Sequence, residues 1–193
     1  IEKEIIPLNE SDYNSKALIF LEREGSQQEA INLAKLALGI EINPESYFII
    51  SQAEAKLNNW DKSLEYILKA IEIDSKNQSY FQHLGNIKLN LKDYEGARNA
   101  FSKAITIDPK NSNLYFKRGN ASEYLDNHED ALKDFNEAIK IDPKNSELLN
   151  ARAYLKSNLG DYQGAIKDLR KDMSLFGIDP WYWYQRGIYH EKL

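Results

Sequence analysis

Large and small apolar residues recur along the chain in a frame that returns at one fixed step. Bulky side chains stand at Ile67, Phe101, Phe135 and Leu169, with Ser63, Ala97, Ala131 and Ala165 four residues before them. Ala70, Ala104 and Ala138 follow three residues after the first three. Spacings of three and four place these positions on one face of a helix. A second small row, Ser51, Gly85, Gly119, Ala153 and Gly187, lies upstream in each frame. Small residues on both segments predict two antiparallel helices in close approach, with the bulky residue filling the space between them. Asn59, Asp93, Asn127 and Asp161 stand between the segments, and their side chains suit the N-cap of the second helix. The runs Ile107-Asp108-Pro109-Lys110-Asn111 and Ile141-Asp142-Pro143-Lys144-Asn145 end that helix at proline. Ser112 or Ser146 is then expected to cap the helix that follows. Pro44 and Pro180 read as first residues of new helices, where a missing N–H costs nothing.

A fixed period of about 34 residues predicts a solenoid of stacked units rather than one closed core. The frame divides the chain at about 11–43, 44–77, 78–111, 112–145 and 146–179, with a half-unit at 180–193 and a cap or remnant at 1–10. Ala30 and Ala37 fit the first unit, with Ser26 at the cap position and Gly25 just before it. The step from Ala37 to Ala70 is one residue shorter than that from Ala70 to Ala104, so that junction is expected to be irregular. Asp172 stands where the frame calls for Ala, and Ser174–Pro180 replaces the Asp-Pro turn, which predicts a longer or kinked helix there. Trp181–Leu193 reads as an aromatic first helix with nothing to cover it. Either further repeats or self-association through 181–193 is expected.

Composition narrows the function classes. Of 193 residues, 42% are hydrophobic and 28% charged, as in a folded protein, and no apolar run approaches the length needed to span a bilayer. The absence of Cys removes disulfides, thiolate metal sites and Cys nucleophiles. A net charge of −5 argues against a nucleic-acid partner. The chain opens on Ile1, which fits a fragment or processed product; the cytoplasm is the expected location, with a removed signal peptide as the open alternative.

The repeat frame, the Arg118-Gly119 pair and the run Asp161-Tyr162-Gln163-Gly164-Ala165-Ile166-Lys167-Asp168 resemble the tetratricopeptide repeat (TPR) family, bacterial-type members in particular. The resemblance implies an all-α fold, a right-handed superhelical solenoid of antiparallel helix pairs. It also implies a concave groove lined by the first helix of each pair. Carried onto this sequence, the groove positions include Phe48, Gln52, Gln82, His83, Asn86, Asn113, Phe116, Lys117, Asn120, Tyr124, Asn150, Tyr154 and Tyr184. Amides donate and accept together, which suits a peptide backbone, and rings supply stiff apolar area. Phe48 and Phe116 fit packing between neighbouring first helices equally well. The Hsp70/Hsp90 carboxylate clamp of some TPR domains is not matched: its slots read Gln82, Asn86, Lys117, Glu147 and Ala151 in one register and Phe48, Gln52, His83, Asn113 and Lys117 in the other. Arg118, Arg152 and Arg186 replace the family's usual Leu. They suit either an anionic ligand or, the favoured reading, pairing with acids at the edge between repeats.

No catalytic constellation emerges. His83, His128 and His190 fall in different units, His128 in a slot otherwise held by Tyr94 and Tyr162. There is no H-E-x-x-H pair, phosphate-binding loop or EF-hand series, so no cofactor or metal is expected. The sequence therefore predicts a non-catalytic protein–protein interaction scaffold that binds a peptide or partner helix in its groove. The rival is a substrate-recruiting TPR region of a larger enzyme or assembly.

Overall fold

The computed structural model describes residues 8–176, with Gln185, Gly187, Ile188, Tyr189, Glu191 and Lys192, and only the backbone at 172–176. The expectations placed on residues 1–7, on the side chain of Asp172, on Pro180, Tyr184, Arg186 and His190, and on self-association through 181–193, lie outside the described residues. The chain divides into two units, Ile1–Ile107 and Asp108–Leu193. The first unit contains α1 (Glu10–Glu22), α2 (Gln27–Ile40), α3 (Pro44–Lys56), α4 (Trp60–Ile73), α5 (Gln78–Asn90) and α6 (Tyr94–Ile107). The second contains α7 (Ser112–Glu123), α8 (His128–Ile141), α9 (Ser146–Asn158) and α10 (Tyr162–Phe176). Within each unit every helix packs on the next, and in the first unit α1 also touches α3, and α3 touches α5.

The turns inside the helix pairs α3–α4, α5–α6, α7–α8 and α9–α10 share one construction. Asn58, Lys92 and Asp126 take positive φ of 62°, 60° and 55°, and Gly160 takes 80° at the equivalent place. In each turn that residue's N–H bonds a carbonyl three residues back (Asn58 to Ala55, 2.9 Å), and the next N–H bonds one five back (Asn59 to Glu54, 2.9 Å). This paired closure satisfies the orphan carbonyls of the first helix. The residue after it is already at the N-cap of the second helix, so the chain reverses within three or four residues. Asp93, Asn127 and Asp161 accept from the N–H three residues on, at 2.9, 3.5 and 2.8 Å, as their type predicts. Asn59 does not; its amide instead donates to Glu54 at 2.7 Å. Ser26 opens α2 without a side-chain cap.

Between pairs, the capping expectation is corrected. Asn77, Asn111 and Asn145 are the N-caps, accepting from Ser79, Asn113 and Glu147, while Ser112 and Ser146 are the first helical residues. Asn leads because its carbonyl oxygen reaches the next N–H groups from the extended backbone that precedes the helix. Pro44 begins α3 as expected, with Asn43 as its cap. The shortened step is absorbed in the α2–α3 loop, which has three residues where the corresponding loops after α4, α6 and α8 have four. That loop is tied down by the buried Asn14 of α1, whose oxygen accepts from the Ser46 hydroxyl at 2.8 Å and whose amide donates to Asn43 at 3.3 Å. The helix α10 runs 15 residues against 14 for α4, α6 and α8.

The small and bulky rows meet inside the helix pairs. Ile67, Phe101, Phe135 and Leu169 are buried, as are Ala70, Ala104 and Ala138. A β-carbon built on Gly85 would lie 2.5 Å from the Phe101 ring, and one on Gly119 would lie 2.6 Å from that of Phe135. Gly119→Ala is therefore expected to destabilise the protein by ~1–2 kcal/mol, because overpacking outweighs the helix propensity gained. Urea unfolding measures this; an unchanged or raised midpoint would show that the ring moves freely.

Candidate partner-binding groove

Within each unit, three-to-four-residue loops join helices that pack on one another, so neighbours are antiparallel and alternate helices run in the same direction. In the second unit the alternate helices α7 and α9 line an open cavity of about 800 Å³. Phe116, Asn120, Glu123 and Tyr124 line it from α7 and its end, and Glu147, Asn150, Ala151 and Tyr154 from α9. Five of the residues predicted from sequence are thus brought together: Phe116, Asn120, Tyr124, Asn150 and Tyr154. Tyr124 and Tyr154 are 64% and 58% exposed. Phe116 is half-buried, its ring 5.9 Å from that of Phe135, and serves core and cavity together. The Asn150 amide donates to Ser146 at 3.2 Å.

Asn113 and Lys117 lie outside this lining. The N–H of Asn113 is spent on Asn111, and Lys117 is half-buried on α7. In the first unit, Phe48 lines a smaller cavity of about 460 Å³ with Tyr80, Glu10 and Glu45. The ring of Phe48 packs on Tyr80 at 4.8 Å and edge-on to His83 at 5.5 Å, a contact between the first helices α3 and α5. His83 turns its Nε2 to the Ser51 hydroxyl at 3.1 Å, and Ser51 and Ser63 bond reciprocally across α3 and α4. Burial lowers the His83 pKa from 6.5 to about 4. Gln82 accepts from Gln78 at 2.8 Å, Asn86 accepts through its carbonyl from Asn90 at 2.9 Å, and Gln52 is half-buried on α3. Gln52, Gln82 and Asn86 lie outside both cavities.

The arginine rows are corrected in place. Arg118 and Arg152 pair with Asp134 and Asp168 on the second helix of the same pair, not at the edge between repeats. Both contacts are two-pronged: Arg118 at 2.9 and 2.6 Å, Arg152 at 2.9 and 2.5 Å. The acids are buried, so these are interior rather than surface pairs. Lys156 adds a third contact to Asp168 at 2.8 Å, and Arg152 also donates to Asn136 of α8 at 2.6 Å. The hydrogen bond to Asp134 raises the Arg118 pKa. Pairing with acids is as expected from the sequence, but its place inside the helix pair is not, although Asp recurs at the same distance after Arg in both pairs.

The carboxyl of Glu123 is raised above its ordinary pKa by burial, partly offset by His128. Among the described residues no group of three or more acids or histidines is placed to hold a metal, and no helix is long and apolar enough to cross a membrane.

A family described as TPR repeat matches residues 85–123, and families described as tetratricopeptide repeat match 44–77, 112–145 and 135–167. The chain belongs to the tetratricopeptide-repeat family. Solved structures agree in fold. MamA from Desulfovibrio magneticus RS-1 is similar with a TM-score of 0.79 and 20% identity, over 86% of this chain and 94% of that one. TTC0263, a thermophilic TPR protein of Thermus thermophilus, is similar with a TM-score of 0.64 and 18% identity, over 95% and 98%. No curated protein sequence matches the chain. A TPR solenoid is the architecture of a protein-interaction scaffold.

Proposed function

We propose that this TPR array works as a non-catalytic scaffold that binds a peptide or partner helix along its first helices, with the α7–α9 cavity as the main contact. The observation that carries the reading is that cavity. It combines two exposed tyrosines and a phenylalanine with the amides of Asn120 and Asn150 in about 800 Å³, room for several side chains of a partner. Rings supply stiff contact area, and the amides satisfy a backbone that would otherwise lose its water. The ion pairs of Arg118 and Arg152 tie α7 to α8 and α9 to α10, the helices behind the cavity walls.

The test starts with peptides selected from a displayed random library on the immobilised full chain. Asn120→Ala/Tyr154→Ala is expected to bind them at least tenfold more weakly, with unchanged circular dichroism and melting temperature. Losses of this size follow from ~1–3 kcal/mol per buried group left unpaired. Equal affinity of variant and wild type would remove the cavity as the binding surface.

A further inference from the structure

The charge of the α7–α9 cavity points to the class of ligand it takes. Its lining carries two carboxylates, Glu123 and Glu147, and no cation among the described residues. The cations of the same helices are drawn elsewhere. Arg118 is held by Asp134, and Arg152 and Lys156 are held by Asp168, all toward the second helices. Lys117 is half-buried on α7, outside the lining. The cavity is therefore negative between walls that are aromatic, the combination that attracts an ammonium or guanidinium by charge and by the ring faces together. Glu147 stands in the first turn of α9 and Glu123 in the last turn of α7. Because the two helices run the same way, the carboxylates mark opposite ends of the cavity. The rise between those levels is about 15 Å, or some four to five residues of extended chain.

We propose that this cavity receives a peptide segment bearing Lys or Arg, with two cations about four or five residues apart that meet Glu147 and Glu123. The proposal rests on the groove reading above and adds the charge and spacing of the partner. It is the opposite charge preference to a carboxylate clamp.

The displayed library separates the two ideas. Peptides enriched on the full chain are expected to carry Lys or Arg at that spacing, and to bind less tightly as salt is raised. Glu123→Gln/Glu147→Gln should weaken the enriched peptides at least tenfold with its melting temperature retained, and replacing their cations by Glu should abolish binding. Glu137→Gln, an exposed carboxylate on α8, should leave the affinity unchanged. Neutral or acidic enriched peptides that still depend on Asn120 and Tyr154 would overturn the charge proposal and leave the groove standing. Enriched peptides indifferent to Asn120→Ala/Tyr154→Ala, or no enrichment at all, would overturn both.

Discussion

Asp168→Ala is expected to destabilise the second unit by about 3 kcal/mol. Asp168 is almost wholly buried and receives Arg152 through two hydrogen bonds and Lys156 through a third. Removing it leaves two positive charges facing each other, with side chains only 16% and 20% exposed. Breaking a buried pair from one side costs ~3–5 kcal/mol, and the lower end applies because both cations retain some water. The loss should remain local, since each helix pair of a solenoid contacts only its neighbours. Hydrogen exchange is therefore expected to quicken in α9 and α10 and to stay unchanged in α1–α4. A triple replacement, Asp168→Leu with Arg152→Met and Lys156→Met, should recover most of the stability, because an apolar cluster of similar volume carries no desolvation cost. If Asp168→Ala unfolds at the wild-type urea concentration, the triad is not a stabilising element.

The second large effect is a loss of stability in mild acid, traced to His83. Its imidazole titrates at about 4 in the folded chain because burial penalises the charged form, against 6.5 as the ordinary value. Between those values the unfolded chain binds more protons than the folded one. The contribution of His83 is complete above pH 6.5, declines as pH falls, and is gone below about pH 4. The expected loss across the window is ~2–3 kcal/mol. His83→Gln, which keeps a group able to bond the Ser51 hydroxyl, should flatten this part of the profile. Urea unfolding at pH 7.5 and pH 4.5 for both proteins is the measurement. Equal losses in wild type and His83→Gln would show that other groups carry the acid sensitivity.

The helix pairs and their close contacts are written in the residue pattern. The Ala and Gly rows must face something large, because only small residues let two helix backbones approach, and Phe101 and Phe135 recur at the matching step. The structure puts those rings within 2.5 and 2.6 Å of where side chains on Gly85 and Gly119 would begin. The turn into the second helix was legible in part. Asp93, Asn127 and Asp161 cap as their chemistry requires, but the left-handed residue before them is Asn58, Lys92, Asp126 or Gly160, and no shared residue type announces it. The shared signal there is conformational: paired hydrogen bonds close the first helix and impose the same positive φ on different side chains.

Which polar side chains stay exposed and which bond one another is set by the packing of the helices. His83 occupies a position predicted to line the groove, yet packing brings it within 3.1 Å of Ser51, on the preceding first helix. Arg118 and Arg152 read from sequence as edge charges; the buried aspartates of the following helices draw them into the helix pairs. Their removal is what leaves Glu123 and Glu147 as the charges of the α7–α9 cavity. Periodicity fixes the face of a helix on which a residue lies, because backbone geometry alone sets it. The direction of a long polar side chain depends on which charges and hydrogen-bonding groups the neighbouring helix presents, and that is known only once the helices are packed.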